Sequence, residues 1–176
     1  MSLTLEHALE IATQQLSAMS AQGVALSLLS GATKEFEEGW VFYYQSARYL
    51  ESGDPGEALA GNAPLFVART DGKSFLVNYH RPLSESLAAY RACGNPNAKQ
   101  LPEVRLKGWI KGAIAVSAIQ AVRQHSSADL AQAKLIVESC LANQSPVVEV
   151  SSVQKAQALV CALESTGFKA EVGYDG

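Results

Sequence analysis

Residues 38–67 read EGWVFYYQSARYLESGDPGEALAGNAPLFV, and the order of residue types in this stretch decides the fold of the first half of the chain. Trp40, Phe42, Tyr43, Tyr44 and Tyr49 put five aromatics within ten positions, in a chain that is only 7% aromatic. Aromatic side chains favour strands because their bulk packs well on a pleated, half-buried surface. Turn formers follow, from Gly53, Asp54, Pro55 and Gly56 to Gly61, Asn62 and Pro64, and then the apolar run Leu65-Phe66-Val67. The reading is two strands joined by a long surface loop, with the first strand running over residues 39–50. Alternation puts Trp40, Phe42 and Tyr44 on one face of that strand and Val41, Tyr43 and Gln45 on the other, so both faces are covered or in use. Trp40, Phe42 and Tyr44 are assigned to the core. Tyr43, Arg48 and Tyr49 fit less readily inside, and Tyr and Arg are residue types that protein interfaces enrich.

Upstream, Leu5, Leu9, Ala12 and Leu16 recur at helical spacing over residues 3–20, with Glu6, Gln14 and Gln15 on the opposite side. Thr4 is placed to cap this helix, and Gly23 stops it. Residues 24–29 read as a strand, and GATKEFEEG as a polar loop. Downstream, residues 64–69 and 74–79 are short strands around Thr70-Asp71-Gly72-Lys73, where Asp-Gly between apolar runs signals a hairpin. A helix with Leu83, Leu87 and Tyr90 on one stripe closes the unit. Residues 1–92 therefore read as an α+β unit: an N-terminal helix, an antiparallel sheet and a closing helix.

Residues 93–104, CGNPNAKQLPEV, change character and read as a linker. Beyond them a strand, VRLKGWI, leads into helices over residues 115–124 and 129–141, with Ser127 a candidate cap for the second. Residues 147–150 are extended, Ser151 or Ser152 caps a third helix to about residue 166, and residues 168–174 form a last strand. The order β-α-α-β-α-β over residues 105–176 makes a second small α+β domain with one core.

The totals exclude several classes. The chain has 176 residues, is 48% hydrophobic and 18% charged, and has a net charge of −3. That charge gives no reason to expect nucleic acid, whose binders carry a basic face. No apolar run approaches the roughly 18 residues that span a bilayer, so no membrane partner is expected. Glu6 and Glu10 fall where a signal peptide needs a positive start and an unbroken apolar core, so the expected location is the cytoplasm. Cys93, Cys140 and Cys161 show no paired or metal-ligand spacing and read as reduced thiols.

No catalytic set is found. His7, His80 and His125 lie far apart, without neighbouring carboxylates or nucleophile motifs, and no phosphate loop, dinucleotide fingerprint or zinc motif occurs. No catalytic residue, cofactor or metal is therefore assigned, and the protein is not expected to be an enzyme. The carboxylates Glu35, Glu37 and Glu38 read either as a solvated turn or as a dock for a basic partner. Arg48 stands close to an acidic loop with Glu51, Asp54 and Glu57. These residues, together with Tyr43, Tyr49 and Asn62, form the candidate partner-binding set of the first unit.

Glu38-Gly39-Trp40, the aromatic strand, Tyr49-Leu50-Glu51-Ser52-Gly53-Asp54 and Leu59-Ala60-Gly61-Asn62-Ala63-Pro64 together resemble the immunity protein 35 domain. The resemblance covers about residues 3–92, including the Asp71-Gly72 turn and the helix start at Pro82-Leu83. It implies a bacterial polymorphic toxin system, in which the protein binds a cognate toxin stoichiometrically and protects the producing cell. It brings no catalytic residues with it. The second half resembles the C-terminal domain of the bacterial ribosomal stalk protein through Ala121-Val122-Arg123, residues 130–139, Ala158-Leu159, Ala162-Leu163-Glu164 and residues 167–172. That family recruits translational GTPases through its first two helices. The resemblance implies Val116, Ile119, Arg123 and Lys134 as partner-binding residues here. Ala115, Gln120 and Ala131 stand where the family has lysines, and Ser117 replaces a small apolar residue. Losing three cations weakens attraction to an acidic partner, so the unit reads as a scaffold or a second grip on the toxin.

The leading expectation is an immunity protein that occludes a toxin's active cleft through residues 35–62, the toxin being one that acts on translation factors. The alternative is a translation-factor-binding or chaperone-like protein using the stalk-type unit. An enzyme that reverses the toxin's modification is disfavoured for want of a nucleophile, metal site or phosphate loop.

Overall fold

The computed structural model describes residues 3–20 and 23–176, and the chain divides into two compact units, residues 1–97 and 98–176. In the first, helix α1 (Leu5–Ser20) precedes strand β1 (Leu26–Leu28), and the chain then runs through β2 (Lys34–Glu35), β3 (Gly39–Phe42) and β4 (Tyr44–Ser46). Helix α2 (Ala47–Ser52), a 3-10 turn (Pro55–Glu57), β5 (Leu65–Ala68), β6 (Ser74–Leu76) and α3 (Leu83–Cys93) follow, and another 3-10 turn (Ser30–Ala32) lies between β1 and β2. The strand order is β2-β3-β5-β6, with β1 and β4 pairing separately, and all pairings are antiparallel.

Both faces of β3 and β5 are buried, which is why this stretch carries apolar residues at successive positions rather than alternating with polar ones. Trp40, Phe42, Leu65 and Val67 meet Ala8 and Ala12 of α1. Val41, Phe66 and Ala68 pack with Val77 and with Leu87 of α3, and Tyr90 meets Phe66 edge-on at 4.9 Å. Alanines on α1 let the helix approach the sheet closely enough to cover the large rings.

Three expectations are corrected here. The strand expected over residues 39–50 breaks at Tyr43: its first half pairs with β2 and β5, its second with β1, and Ala47–Ser52 is helical. Ser46 causes the second change, because its hydroxyl accepts from Tyr49 N at 3.0 Å as an N-cap, and Gly53 closes the helix. On α1 the buried stripe is Ala8, Ala12 and Leu16, whereas Leu5 and Leu9 are 47% and 42% exposed. Cys93 ends α3, and Gln100–Val104 belong to the next strand, so the connecting segment is confined to residues 94–99.

The second unit is built from β7 (Gln100–Trp109), α4 (Ala115–His125), α5 (Leu130–Leu141), β8 (Val147–Glu149), α6 (Val153–Ser165) and β9 (Phe168–Tyr174). Its antiparallel sheet has the order β8-β7-β9. Val104, Leu106, Val148, Phe168 and Val172 share a core with Ala118, Val122, Ala133, Val137, Leu159 and Leu163 of the helices. Arg105 and Lys107 alternate outward with these and are exposed, so one face of the sheet carries the helices and the other is open. The α5 cap is Asp129 rather than Ser127: Asp129 Oδ1 accepts from Gln132 N at 2.8 Å, and Gln132 Oε1 accepts from Asp129 N at 2.9 Å. Both units are mixed helix and antiparallel sheet, and the protein is α+β.

Candidate functional site

Gly39 and Trp40 of the Glu-Gly-Trp motif are internal. A Cβ on Gly39, whose φ is +154°, would lie 2.1 Å from Val67 O, so no larger residue fits against β5. Trp40 is 1% exposed, and its Nε1 is a buried polar atom with no hydrogen-bond partner among the described residues. The Arg69 guanidinium lies 4.1 Å over its ring. Arg69 also bonds Glu35 Oε1 at 2.7 Å, Phe36 O at 2.9 Å and Glu37 O at 3.2 Å. Glu38, with its side chain only 10% exposed, accepts from Arg91 Nε at 2.7 Å. The carboxylate cluster is therefore divided by its partners: Glu37 projects freely, Glu35 is tied to Arg69, and Glu38 anchors the sheet to α3. Tyr43 is half-buried, packs beside the α3 core and has Lys34 Nζ 5.7 Å above its ring.

The loop after α2 is fastened to the β4 edge by side chains acting as a substitute strand. Gln45 Oε1 accepts from Leu59 N at 2.6 Å while its Nε2 donates to Leu59 O at 3.1 Å. Ser46 Oγ donates to Glu57 O at 2.6 Å, and Asn62 Nδ2 to Tyr44 O at 2.9 Å. Burial pushes the Tyr44 hydroxyl above its ordinary pKa, against a smaller lowering by its hydrogen bond with Asn62. Asp54 caps the 3-10 turn through Gly56 N at 2.9 Å, and Glu57 Oε2 accepts from Ser52 Oγ at 3.0 Å. Gly61, at φ +70°, sits under Tyr79, whose hydroxyl would be 3.4 Å from a Cβ there.

This framework presents a surface. A cleft of 510 Å³ opens between residues 23–25 and 56–59, with Arg48 and Glu57 as its charged lining and Val24 and Leu59 as apolar lining. Arg48 and Glu51 are exposed on α2, Leu50 is 44% exposed, and Tyr49 is half-buried. Tyr79, 54% exposed and with its ring tilted 38° against His80 at 4.1 Å, is an exposed aromatic outside the residues expected from sequence. Its signal was the pairing of an aromatic with a glycine eighteen positions earlier, which only the fold brings together. In the second unit Val116 is 67% exposed and Arg123 is exposed, both on α4. Ile119 packs into the core, and Lys134 pairs with Glu138 at 3.6 Å on α5. Among the described residues no group of three His, Cys, Asp or Glu could hold a metal ion, and no helix is long and apolar enough to cross a membrane.

Residues 1–97 thus form a small α+β unit that presents an open cleft with Arg48 and Glu57 in its lining. The family model for immunity protein 35 matches residues 6–93, and the chain belongs to that family. An uncharacterized protein of Escherichia coli (strain K12), YrhB, is 36% identical over 55 residues, which are 31% of this chain and 58% of that protein. The matched region thus spans less than two thirds of that relative. No solved structure matches the chain.

Proposed function

We propose that this protein neutralises a cognate antibacterial toxin by stoichiometric binding, covering the toxin's active cleft with the surface around α2. The match of residues 6–93 to the immunity protein 35 family carries this reading. An open cleft lined by Arg48 and Glu57, with Leu50 and Glu51 exposed on α2, supports this choice of surface. An interface gains most from a few anchors seated in pockets, with aromatic and Arg residues prominent among them. Residues 1–97 hold ten Asp/Glu and six Lys/Arg, a balance that draws in a basic partner and speeds capture. Gln45, Ser46 and Asn62 hold the loop of this surface in place, while Arg48, Leu50 and Glu51 make the contacts. A toxin that acts on translation factors in the cytoplasm is the finer form of the reading, supported by the resemblance of residues 110–174 to the stalk domain.

The test is binding to the toxin encoded beside this gene. Wild-type protein should form a one-to-one complex and rescue toxin-treated cells. Arg48→Glu should weaken it by about 2 kcal/mol, roughly thirtyfold in Kd. Absence of any complex, with no rescue, refutes the reading. Val116 and Arg123, exposed together on α4, favour a second reading in which the second unit binds a translational GTPase. Co-purification with elongation factors from toxin-free cells would support it.

A further inference from the structure

The β8 edge has a hydrogen-bonding capacity that the described residues do not use. Leu106 N donates to Pro146 O at 3.0 Å and Val150 N donates to Pro102 O at 2.9 Å, with Val104 paired to Val148 between them. The ladder to β7 thus uses residues 146, 148 and 150. In an antiparallel pair the backbone groups alternate sides, so the N–H and C=O of Val147 and Glu149 point away from β7. No other strand pairs with β8 among the described residues. Proteins pair or cover such groups, or blunt the edge with short strands, proline or charge.

Beside this edge lies a cleft of 370 Å³ between α5 and β8, lined by Ala128, Leu135, Ile136, Val147, Val148 and Glu149 among others. Leu135 is 66% exposed and Val147 is 40% exposed. Glu149 forms no ion pair among the described residues, whereas Lys134 on the same helix as Leu135 pairs with Glu138. Backbone donors and acceptors spaced two residues apart fit an extended segment and no helix. Side chains of such a segment alternate between faces. One would turn toward the helices and meet Leu135 and Ile136, and its sequence neighbour would turn to the open face beside Val147 and Glu149.

We propose that the β8 edge takes up an extended segment of the toxin, adding a fourth strand to the sheet of the second unit. The segment carries an apolar residue for the α5 cleft and an adjacent Lys or Arg for Glu149. This rests on the immunity reading and gives the second unit a part in it: a grip that works mainly through backbone and is thus tolerant of toxin sequence, with Glu149 disfavouring acidic segments.

The experiment uses the full chain and the toxin encoded beside its gene, with hydrogen exchange read at the Val147 and Glu149 amides. Saturating toxin should slow exchange at both amides by about tenfold or more, the equivalent of one hydrogen bond. Glu149→Pro removes a donor that the β7 ladder does not use, and should raise Kd by about tenfold. Leu135→Ser, on an exposed side chain, should do likewise and serves if the proline variant fails to fold. A wild-type complex with unprotected amides and unchanged variant affinities overturns strand addition while leaving immunity standing. Failure of the wild-type chain to bind overturns both. A toxin-free dimer by sedimentation that Glu149→Pro dissolves would assign the edge to a second copy and overturn the proposal.

Discussion

At the scale of single residues, the positions that most resemble a family signature are those the fold cannot spare. Gly39 passes under Val67 O, Glu38 closes onto Arg91, and Asn62 reaches Tyr44 O. Gly39→Ala combines backbone strain with overpacking against β5, and should cost about 3 kcal/mol, read as a lower denaturation midpoint with unchanged slope. Gln45→Ala removes both bonds to Leu59 and should cost about 1–2 kcal/mol. Its more telling effect is local: amide exchange over residues 57–62 should accelerate while α1 and β5 keep their protection. Sequence alone shows that Gly39 and Asn62 are unusual residue types in their setting. Whether such residues face a partner or their own chain depends on distances across 18 to 53 positions, which no local pattern encodes.

At the scale of elements, the reading succeeds where periodicity and caps agree and fails where a side-chain cap overrides a pattern. The helices and strands of the second unit lie within a few residues of their expected bounds, because Ser126, Asp129 and Ser152 mark helix ends beside apolar stripes. Residues 47–52 follow directly on an aromatic strand and include Tyr49, yet Ser46 and Gly53 enclose them as the cap pair of a short helix. The α1 stripe was misplaced by one flank because alanine scores as weakly apolar, although close packing onto Trp40 and Phe42 demands small residues there. Asp129→Ala, which breaks the capping box of α5, should destabilise the second unit by about 1 kcal/mol. Within α5, Cys140 is buried with its Sγ 3.6 Å from Gly108 O, and burial raises its thiol pKa above the ordinary value. The folded state therefore holds this proton to higher pH than the unfolded chain, so stability falls as pH rises past the unfolded thiol's pKa. A thiol reagent at neutral pH should modify exposed Cys93 and Cys161 quickly, and reach Cys140 only after unfolding.

At the scale of the whole molecule, the chain holds separate cores. Every residue of the Trp40 and Phe66 clusters lies before position 98, and every residue of the Leu106 and Phe168 cluster lies after it. The first unit has two sheets and the second has one, with no strand shared among the described residues. Stability should therefore partition by unit, because a substitution in one core changes no packing in the other, and sites without shared partners act additively. Calorimetry of the full chain should depart from a single two-state transition, with a calorimetric enthalpy larger than the van't Hoff value. Gly39→Ala should lower the transition of residues 1–97 and leave the other within about 0.5 kcal/mol, and Asp129→Ala should do the reverse. A single cooperative transition, displaced equally by either substitution, would mean that the two cores unfold as one and would refute this partition. Substitutions at the proposed contacts separate the two proposed grips: if α2 and the β8 edge bind independently, Arg48→Glu and Leu135→Ser should each lower affinity by its own increment, and the double variant by their sum.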